Sequence, residues 1–432
     1  MTSNRSGIST AAKEGSLDVF PDDWQITKLG EVCSVRRESV KPSNTLGLPY
    51  VGLEHLVSGD PKLKQTGDSS SVRSAKSSFR KGDILYGKLR PYLDKAVVAH
   101  IDGICSTDII VLTARCDVVS NHYLVYLLHT KPFLNYAVST TTGVNHPRTS
   151  WRAISDFAFP VPSLGEQKKI AYILTTVCNA KEKTESVISA LKEFKKSLMK
   201  HLFTYGPVPM SEVDKVRLKE TEIGEIPEDW EVLPLAEVVE IETGKRMKGG
   251  GQSSGEVISL GGEHINPDGS LNLAKPKYIS RDFYDHMKEG RLRPDDVLMV
   301  KDGATTGKVA FIRDVPAGIA AANEHLFVLR GKNGRIDNYF LYSALLSSIG
   351  QSQIRKAYHG LIGGINRTEM ESIVIPIPPL QTQERIVRML DAVDLSIQGY
   401  AECTNAYEVV FRSLLDNLMT GKLRVNNLEV PT

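Results

Sequence analysis

Several groups of basic and amide side chains stand at the ends of short apolar runs, where a strand would stop and a turn would present them to solvent. Arg36, Arg37 and Lys41 follow the first such run, and Lys88 and Arg90 lie in YGKLRPYLDK directly after DIL. Asn145, Arg148 and Arg152 lie in GVNHPRTSWRAI, beside His146. Later in the chain come Lys245, Arg246 and Lys248 in the glycine-rich TGKRMKGGGQ, Lys301 and Lys308 framing KDGATTGK, and Asn366 and Arg367 in GLIGGINRTEM. Such groups can hold phosphates or donate to base edges, so they are candidates for contact with DNA. Solvated surface turns have the same composition, and Trp151 reads as a packing anchor in preference to a base-stacking platform.

Residues for bond-making chemistry are not evident. His55 and His264 recur in GLEH and GGEH, but there is no HExxH pattern and no carboxylate-rich nuclease cluster, so turn or polar-contact roles are expected. GATTGK has three residues between its glycines where a phosphate-binding loop needs four, and Val309 follows its lysine. The Asn/Asp-Pro-Pro-Phe/Tyr motif of an amino-methyltransferase is absent. Five scattered cysteines without a Cys-x2-Cys pair read as reduced thiols, and neither a catalytic residue nor a metal site is expected.

A composition of 41% hydrophobic and 24% charged residues excludes disorder across the whole chain. No apolar stretch approaches the roughly 18 residues of a membrane span, and the start lacks a signal-like apolar core, so a cytoplasmic location is expected. The net charge of +2 divides into +8 over residues 1–205 and −6 over the remainder. Attraction to DNA would therefore depend on local basic patches.

The elements that must position these residues occur twice. FPDDWQITKLGEV from Phe20 resembles IPEDWEVLPLAEV from Ile226, an offset of 206. KGDILYGKLRPYLDK lines up with RPDDVLMVKDGATTGK at 212, or 213 when Asp83 is paired with Asp296. FPVPSLGEQKKIAYIL matches IPIPPLQTQERIVRML at 216, an offset that holds to SLMKHLFT and SLLDNLMT. Each copy, about 200 residues, is too long for a solenoid repeat and should fold as a domain with its own appendage. Short runs such as VVEIE and DVLMV, separated by turn residues, predict a strand-rich mixed head interrupted by two short helical patterns.

After the proline-rich hinges the apolar period changes to that of a helix. Ile170, Leu174, Val177, Ile188, Leu191, Leu198 and Leu202 form one packing seam, and Ile386, Leu390, Val393, Ile397, Tyr407, Phe411, Leu414 and Leu418 the other. Lys181 and Lys195 interrupt the first seam. Each helix is expected to run about 36 residues, or roughly 55 Å. The expected organisation is a flexible segment 1–19, a first head 20–162, a central helix 163–205, a polar linker 206–225, a second head 226–378, a distal helix 379–424 and a tail 425–432. The fold class is α+β: two mixed strand-rich heads, each followed by a long helix, the helices packed as an antiparallel coiled coil with pseudo-two-fold symmetry. Trp24 and Trp230, at equivalent places, are expected to seat the heads, and Gln167 and Gln383 to act where head meets helix.

The paired PDDWQITKLGEV and PEDWEVLPLAEV, the KGDIL and PDDVL strands, the hinges PVPSLGEQKKI and PIPPLQTQERI and the closing LMTGKLRV resemble the specificity subunit of a type I restriction-modification system, from about Phe20 to Val425. The resemblance implies that each head is a target-recognition domain for one half of a bipartite double-stranded DNA sequence. It also implies that the helices set the spacing and dock two modification subunits, with restriction subunits joining the full complex. S-adenosylmethionine, ATP and Mg2+ would then belong to those partners, and this chain would not itself be an enzyme. The pattern departs at Thr382-Gln383 against Glu166-Gln167, and at KDGATTGK against GKLRPYLDK, so an asymmetric target is expected. A standalone nucleic-acid-binding adaptor, a structural assembly protein without DNA specificity and a nuclease of unfamiliar type remain as alternatives.

Overall fold

The computed structural model describes residues 20–41, 47–332, 334–358 and 363–429, so the segment 1–19 lies outside the described residues. The chain divides into two units, one of residues 1–185 and 402–432, the other of residues 186–401. Each unit therefore combines one head with part of each of two long helices, α1 (Leu164–Tyr205) and α2 (Leu380–Met419).

The first head is built on four antiparallel strands, β1 (Cys33–Val35), β2 (Ile84–Gly87), β3 (Ala96–Val98) and β4 (Ile109–Ala114), in the order β1-β4-β2-β3. The second repeats it with β5 (Val239–Thr243), β6 (Asp296–Val300), β7 (Val309–Ile312) and β8 (Leu326–Gly331), in the order β5-β8-β6-β7. The central strands carry apolar runs, Ile84–Tyr86 and Ile109–Leu112 in one head and Val297–Val300 and Leu326–Leu329 in the other, because both faces of each sheet are covered. Ile84 and Tyr86 face one core while Leu85 faces another, and Val297 and Met299 part from Leu298 and Val300 in the same way. A second sheet lies in each head, five-stranded in the first and three-stranded in the second, each with a single parallel pair.

The beginning and end of each head are zipped together. Gln25–Lys28 pairs with Ala158–Val161, and Glu231–Pro234 with Val374–Ile377, so the chain leaves beside the place where it came in and passes straight into a long helix. Both helices start at the hinge and run 42 and 40 residues, longer than the sequence period alone marks out, or about 63 and 60 Å at 1.5 Å per residue. Gln167 and Gln383 fix this joint identically. The Gln167 amide donates to the carbonyls of Val118 (3.0 Å) and Pro162 (2.9 Å) and accepts from the Ser120 N–H (2.8 Å). Gln383 does the same with Arg335 (3.1 Å), Pro378 (2.9 Å) and Asp337 (2.9 Å), and both glutamines are fully buried.

Within the first unit Ile170 and Leu174 of α1 share a core with Phe411, Leu415 and Leu418 of α2, and Val177, Tyr407 and Leu414 are half-buried. Within the second, Leu202 of α1 shares a core with Ile386 and Leu390 of α2; Val393 is buried, and Ile188, Leu191, Leu198 and Ile397 are half-buried. The helix segments run antiparallel in each unit. Each interrupting lysine has a carboxylate opposite it: Lys181 binds Glu408 at 2.6 Å and Lys195 binds Asp394 at 2.7 Å. Burial works against ionisation of Glu408, but hydrogen bonds from Lys181 and Arg412 outweigh it and hold that carboxyl below its usual range.

Trp24 and Trp230 seat their heads on helix ends. The Trp24 ring lies against Gly421, just past the end of α2, and Trp230 against Gly206, just past the end of α1. Both glycines are left-handed, at φ +71° and +78°, the usual conformation for ending a helix. Trp24 also donates to Glu166 (3.2 Å), which is clamped by Arg424, and Arg424 in turn binds Asp23 (2.7 Å). Thr382 occupies the position of Glu166 in the other copy, so this clamp has no counterpart there. The segment expected to be a plain polar linker contains a β-hairpin, Leu218–Thr221 with Gly224–Pro227. Ile226 and Pro227 at the end of its second strand are buried.

Candidate nucleic-acid interface

The matched ladders β2·β4 and β6·β8 make Lys88 equivalent to Lys301 and Asp108 equivalent to His325. Around these residues both heads build one backbone frame from three separated segments. The Lys88 N–H donates to the Asp108 carbonyl and that of Lys301 to the His325 carbonyl, both at 2.9 Å. The carbonyl of Lys88 then accepts from Thr149 (3.1 Å) and that of Lys301 from Ile365 (2.7 Å). Single antiparallel bridges close the frames, Leu89 with Arg148 and Asp302 with Gly364. A short helix leaves each frame, Trp151–Ile154 capped by Ser150 and Arg367–Glu371 capped by Asn366.

Different side chains stand on this shared backbone. In the first head Arg148 forks onto Asp108, at 3.0 and 3.4 Å, and these hydrogen bonds raise the arginine pKa. In the second, His325 pairs through Nδ1 with Asp302 and lies 3.6 Å from Glu324, with half of its side-chain surface exposed. A concavity adjoins each frame. The first, about 320 Å³, gathers Arg37, Lys88, Thr107 and Thr149–Trp151; the second, about 240 Å³, gathers Lys245, Arg246, Lys277 and Asn323–His325. Both lie between the exit of the first sheet strand and the start of β4 or β8.

Arg36, though beside the first concavity, is engaged inside the head. Its guanidinium forks onto the buried Asp83 (2.7 and 3.0 Å) and also reaches Glu38 (3.1 Å). Asp296, the counterpart of Asp83, is equally buried and is forked by Arg330, which also pairs with Glu242. The strand registers make Glu242 the counterpart of Arg36 and Arg330 that of Thr113, which donates to Asp83 at 3.1 Å. The cation has thus moved from the end of the edge strand to the adjoining central strand while the buried carboxylate keeps a partner. Burial works against the charge on Arg330, but Asp296 and Glu242 outweigh it and raise its pKa.

The remaining candidates divide by what their side chains touch. Arg37, Lys41, Asn145, Arg152 and Lys248 are exposed. Lys245 pairs with Glu289 (3.0 Å), Arg246 with Glu324 (3.4 Å) and Arg367 with Glu371 (2.9 Å), all on the surface. Hydrogen bonding to Lys245 keeps the Glu289 carboxyl below its ordinary range. Lys308 donates to the Ile265 carbonyl (2.9 Å), and the Lys301 ammonium lies 5.9 Å from the Phe327 ring centre. Arg90 is left-handed at φ +51°, and its Nε is buried without a hydrogen-bond partner. Asn366 caps a helix. Its side chain accepts from the Glu369 N–H while Glu369 accepts from the Asn366 N–H, a reciprocal arrangement. The glycine-rich stretch is tied down, with Gln252 and Tyr278 exchanging backbone hydrogen bonds at 2.9 Å.

KDGATTGK joins two strands, so no helix start stands behind it to receive a phosphate. His55 and His264 each accept the N–H of the glycine three residues earlier, at 2.9 Å, which makes them turn residues. Among the described residues no group of three or more His, Cys, Asp or Glu could hold a metal ion, and no helix is long and apolar enough to cross a membrane. Asp108, Asp302 and His325 escape sequence reasoning as site residues. Aligning the strands β4 and β8 would have placed two of them opposite each other.

A family model for the type I restriction modification DNA specificity domain matches twice, over residues 21–193 and 227–401. The specificity subunit of the type I restriction enzyme MjaVIII from Methanocaldococcus jannaschii is 26% identical over 426 residues, 94% of this chain and 95% of that protein. That of EcoBI from Escherichia coli is 27% identical over 318 residues, 70% of this chain and 62% of that protein. The S subunit of a type I restriction-modification system from M. genitalium superposes with a TM-score of 0.58 at 14% identity, covering 91% of this chain and 96% of its own. A chain from a structure of complex assembly in a type I R-M system gives 0.53 at 19%, covering 94% and 100%. At such identities the superpositions establish a common fold. With two matched domains spread over most of its length, this chain belongs to the family of type I restriction-modification specificity subunits, whose domains carry DNA sequence specificity.

Proposed function

We propose that each head reads one half of an asymmetric bipartite sequence in double-stranded DNA, and that the long helices set the spacing and dock two modification subunits. The observation that carries this reading is the repeated frame: one backbone, presenting Asp108 and Arg148 in one head and His325 and Asp302 in the other. Identical scaffolds with unlike side chains suit two different half-sites, because base identity is read by side-chain donors and acceptors while backbone geometry sets their reach. Arg37, Lys41, Lys88, Arg152 and Lys248 would supply phosphate contacts beside the frames. Adenine methylation with S-adenosylmethionine, and ATP- and Mg2+-driven translocation and cleavage, belong in this reading to modification and restriction partners in the cytoplasm.

The test is co-expression with the neighbouring modification subunit in a host without adenine methylation, followed by mapping of modified adenines. A bipartite, non-palindromic motif that disappears on deleting this gene is the expected result. Modification that persists without the gene, or a single contiguous motif, would overturn the proposal.

A further inference from the structure

We infer that Arg148 in the first head and His325 in the second are the specificity-determining side chains of their half-sites, each aimed by an acidic positioning residue, Asp108 and Asp302. The inference rests on the reading above and names the groups that would do the discriminating. Four observations converge on them.

They stand on one backbone frame repeated bond for bond. Each frame adjoins a concavity, and both concavities lie at the same place in the fold. Both side chains are accessible, Arg148 to 44% and His325 to 50%. Each is also held by a carboxylate, which lowers the conformational freedom lost on binding. The frame is the same in both heads, whereas the chemistry it carries is not.

The hydrogen bonds indicate what each would take. Asp108 occupies the Nε–Nη2 edge of the Arg148 guanidinium, and Nη1 makes only a long contact of 3.5 Å with the His146 carbonyl. The Nη1–Nη2 edge is thus turned away from the carboxylate. A guanidinium fork of that kind matches the O6 and N7 acceptors of guanine in the major groove. His325 engages Asp302 through Nδ1, and its Nε2, on the other side of the ring, lies 3.6 Å from Glu324 Oε1, too far for a hydrogen bond. One ring nitrogen cannot make a forked contact, so the second head reads its base through a single hydrogen bond and discriminates less sharply there.

The experiment uses the full chain assembled with its modification subunit. Once the wild-type motif is mapped, Arg148→Ala, Arg148→Lys and His325→Ala are compared by adenine mapping. Binding of each assembled complex to duplexes carrying every single-base substitution of that motif is measured alongside. Arg148→Ala should relax one guanine position in one half-site, with discrimination there falling roughly 10- to 100-fold, while the other half-site and the gap stay unchanged. Arg148→Lys keeps the charge but loses the fork, and should relax the same position with overall affinity retained. His325→Ala should act only on the opposite half-site. An unchanged motif in the variants, or weakening spread evenly over all duplexes, would overturn the inference, and a variant that no longer modifies DNA is decided by the duplex panel. A wild-type chain with no gene-dependent motif would instead refute the parent reading.

Discussion

Replacing Gln167 by alanine tests the joint through which the first head meets α1. The side chain is fully buried and makes three hydrogen bonds, two donated and one accepted. Its removal leaves the Ser120 N–H and the Val118 and Pro162 carbonyls without that partner in a space closed to water. A neutral hydrogen bond contributes about 1 kcal/mol net, and a buried orphan donor costs about 1–3 kcal/mol, so a loss of about 3 kcal/mol is expected. In a unit of roughly 200 residues that lowers the melting temperature by about 6–12 °C. Scanning calorimetry of the purified chain would show the first unit's transition moving by this amount while the second stays in place. Lys168→Ala, one residue away and exposed, should stay within about 0.5 kcal/mol of wild type. Gln167→Glu keeps the size and the acceptor but faces two carbonyls with a carboxylate, so it should fall at least as far as alanine. A shift below about 2 °C for Gln167→Ala, or a Gln167→Glu variant as stable as Lys168→Ala, would refute the claim that this amide holds the joint.

Further outcomes follow from other contacts. Arg330→Ala leaves the buried Asp296 without its main cation and should cost about 3–5 kcal/mol in urea unfolding, part of it restored by adding Asp296→Asn; a loss under about 1 kcal/mol would show the pair to be dispensable. Glu166→Thr, which copies the second unit, should speed amide exchange across residues 420–429 by mass spectrometry, and unchanged protection would mean that the clamp does not hold the tail. Burial works against ionisation of Asp268, but Lys192 and Ser270 outweigh it and lower its pKa from 3.8 to about 2. The unfolded chain therefore takes up that proton first, so the stabilisation is complete above about pH 4 and is lost as pH falls toward 2. Asp268→Asn should flatten the acid limb of a circular-dichroism titration in that window and lower stability at neutral pH, where the contribution is complete; an unaltered limb counts against the contribution. If Arg37 and Lys88 each contact a phosphate, their double alanine variant should lower the slope of log affinity against log salt by about 1.8, uniformly across sequences. An unchanged slope would remove them from the interface.

The duplication, the strand-rich heads, the hinges and the long helices are all legible in the amino-acid string. Each is written in local periodicity or in a motif that occurs twice, and the paired tryptophans and glutamines carry their equivalence with them. Asn366, read from the sequence as a candidate for contact with DNA, instead caps a helix in a reciprocal pair with Glu369. Folding was needed to settle the helix lengths, the carboxylates opposite Lys181 and Lys195, and above all the frame. Lys88, Asp108 and Arg148 lie 20 and 40 residues apart, and only the strand register makes them neighbours. The same register separates Arg36 from Arg37: adjacent residues on a strand end point to opposite sides, so one guanidinium is drawn to Asp83 inside the head while the next stays in solvent. A linear string records which residues are basic. Which of them remain available to a ligand depends on the partner that folding brings to each.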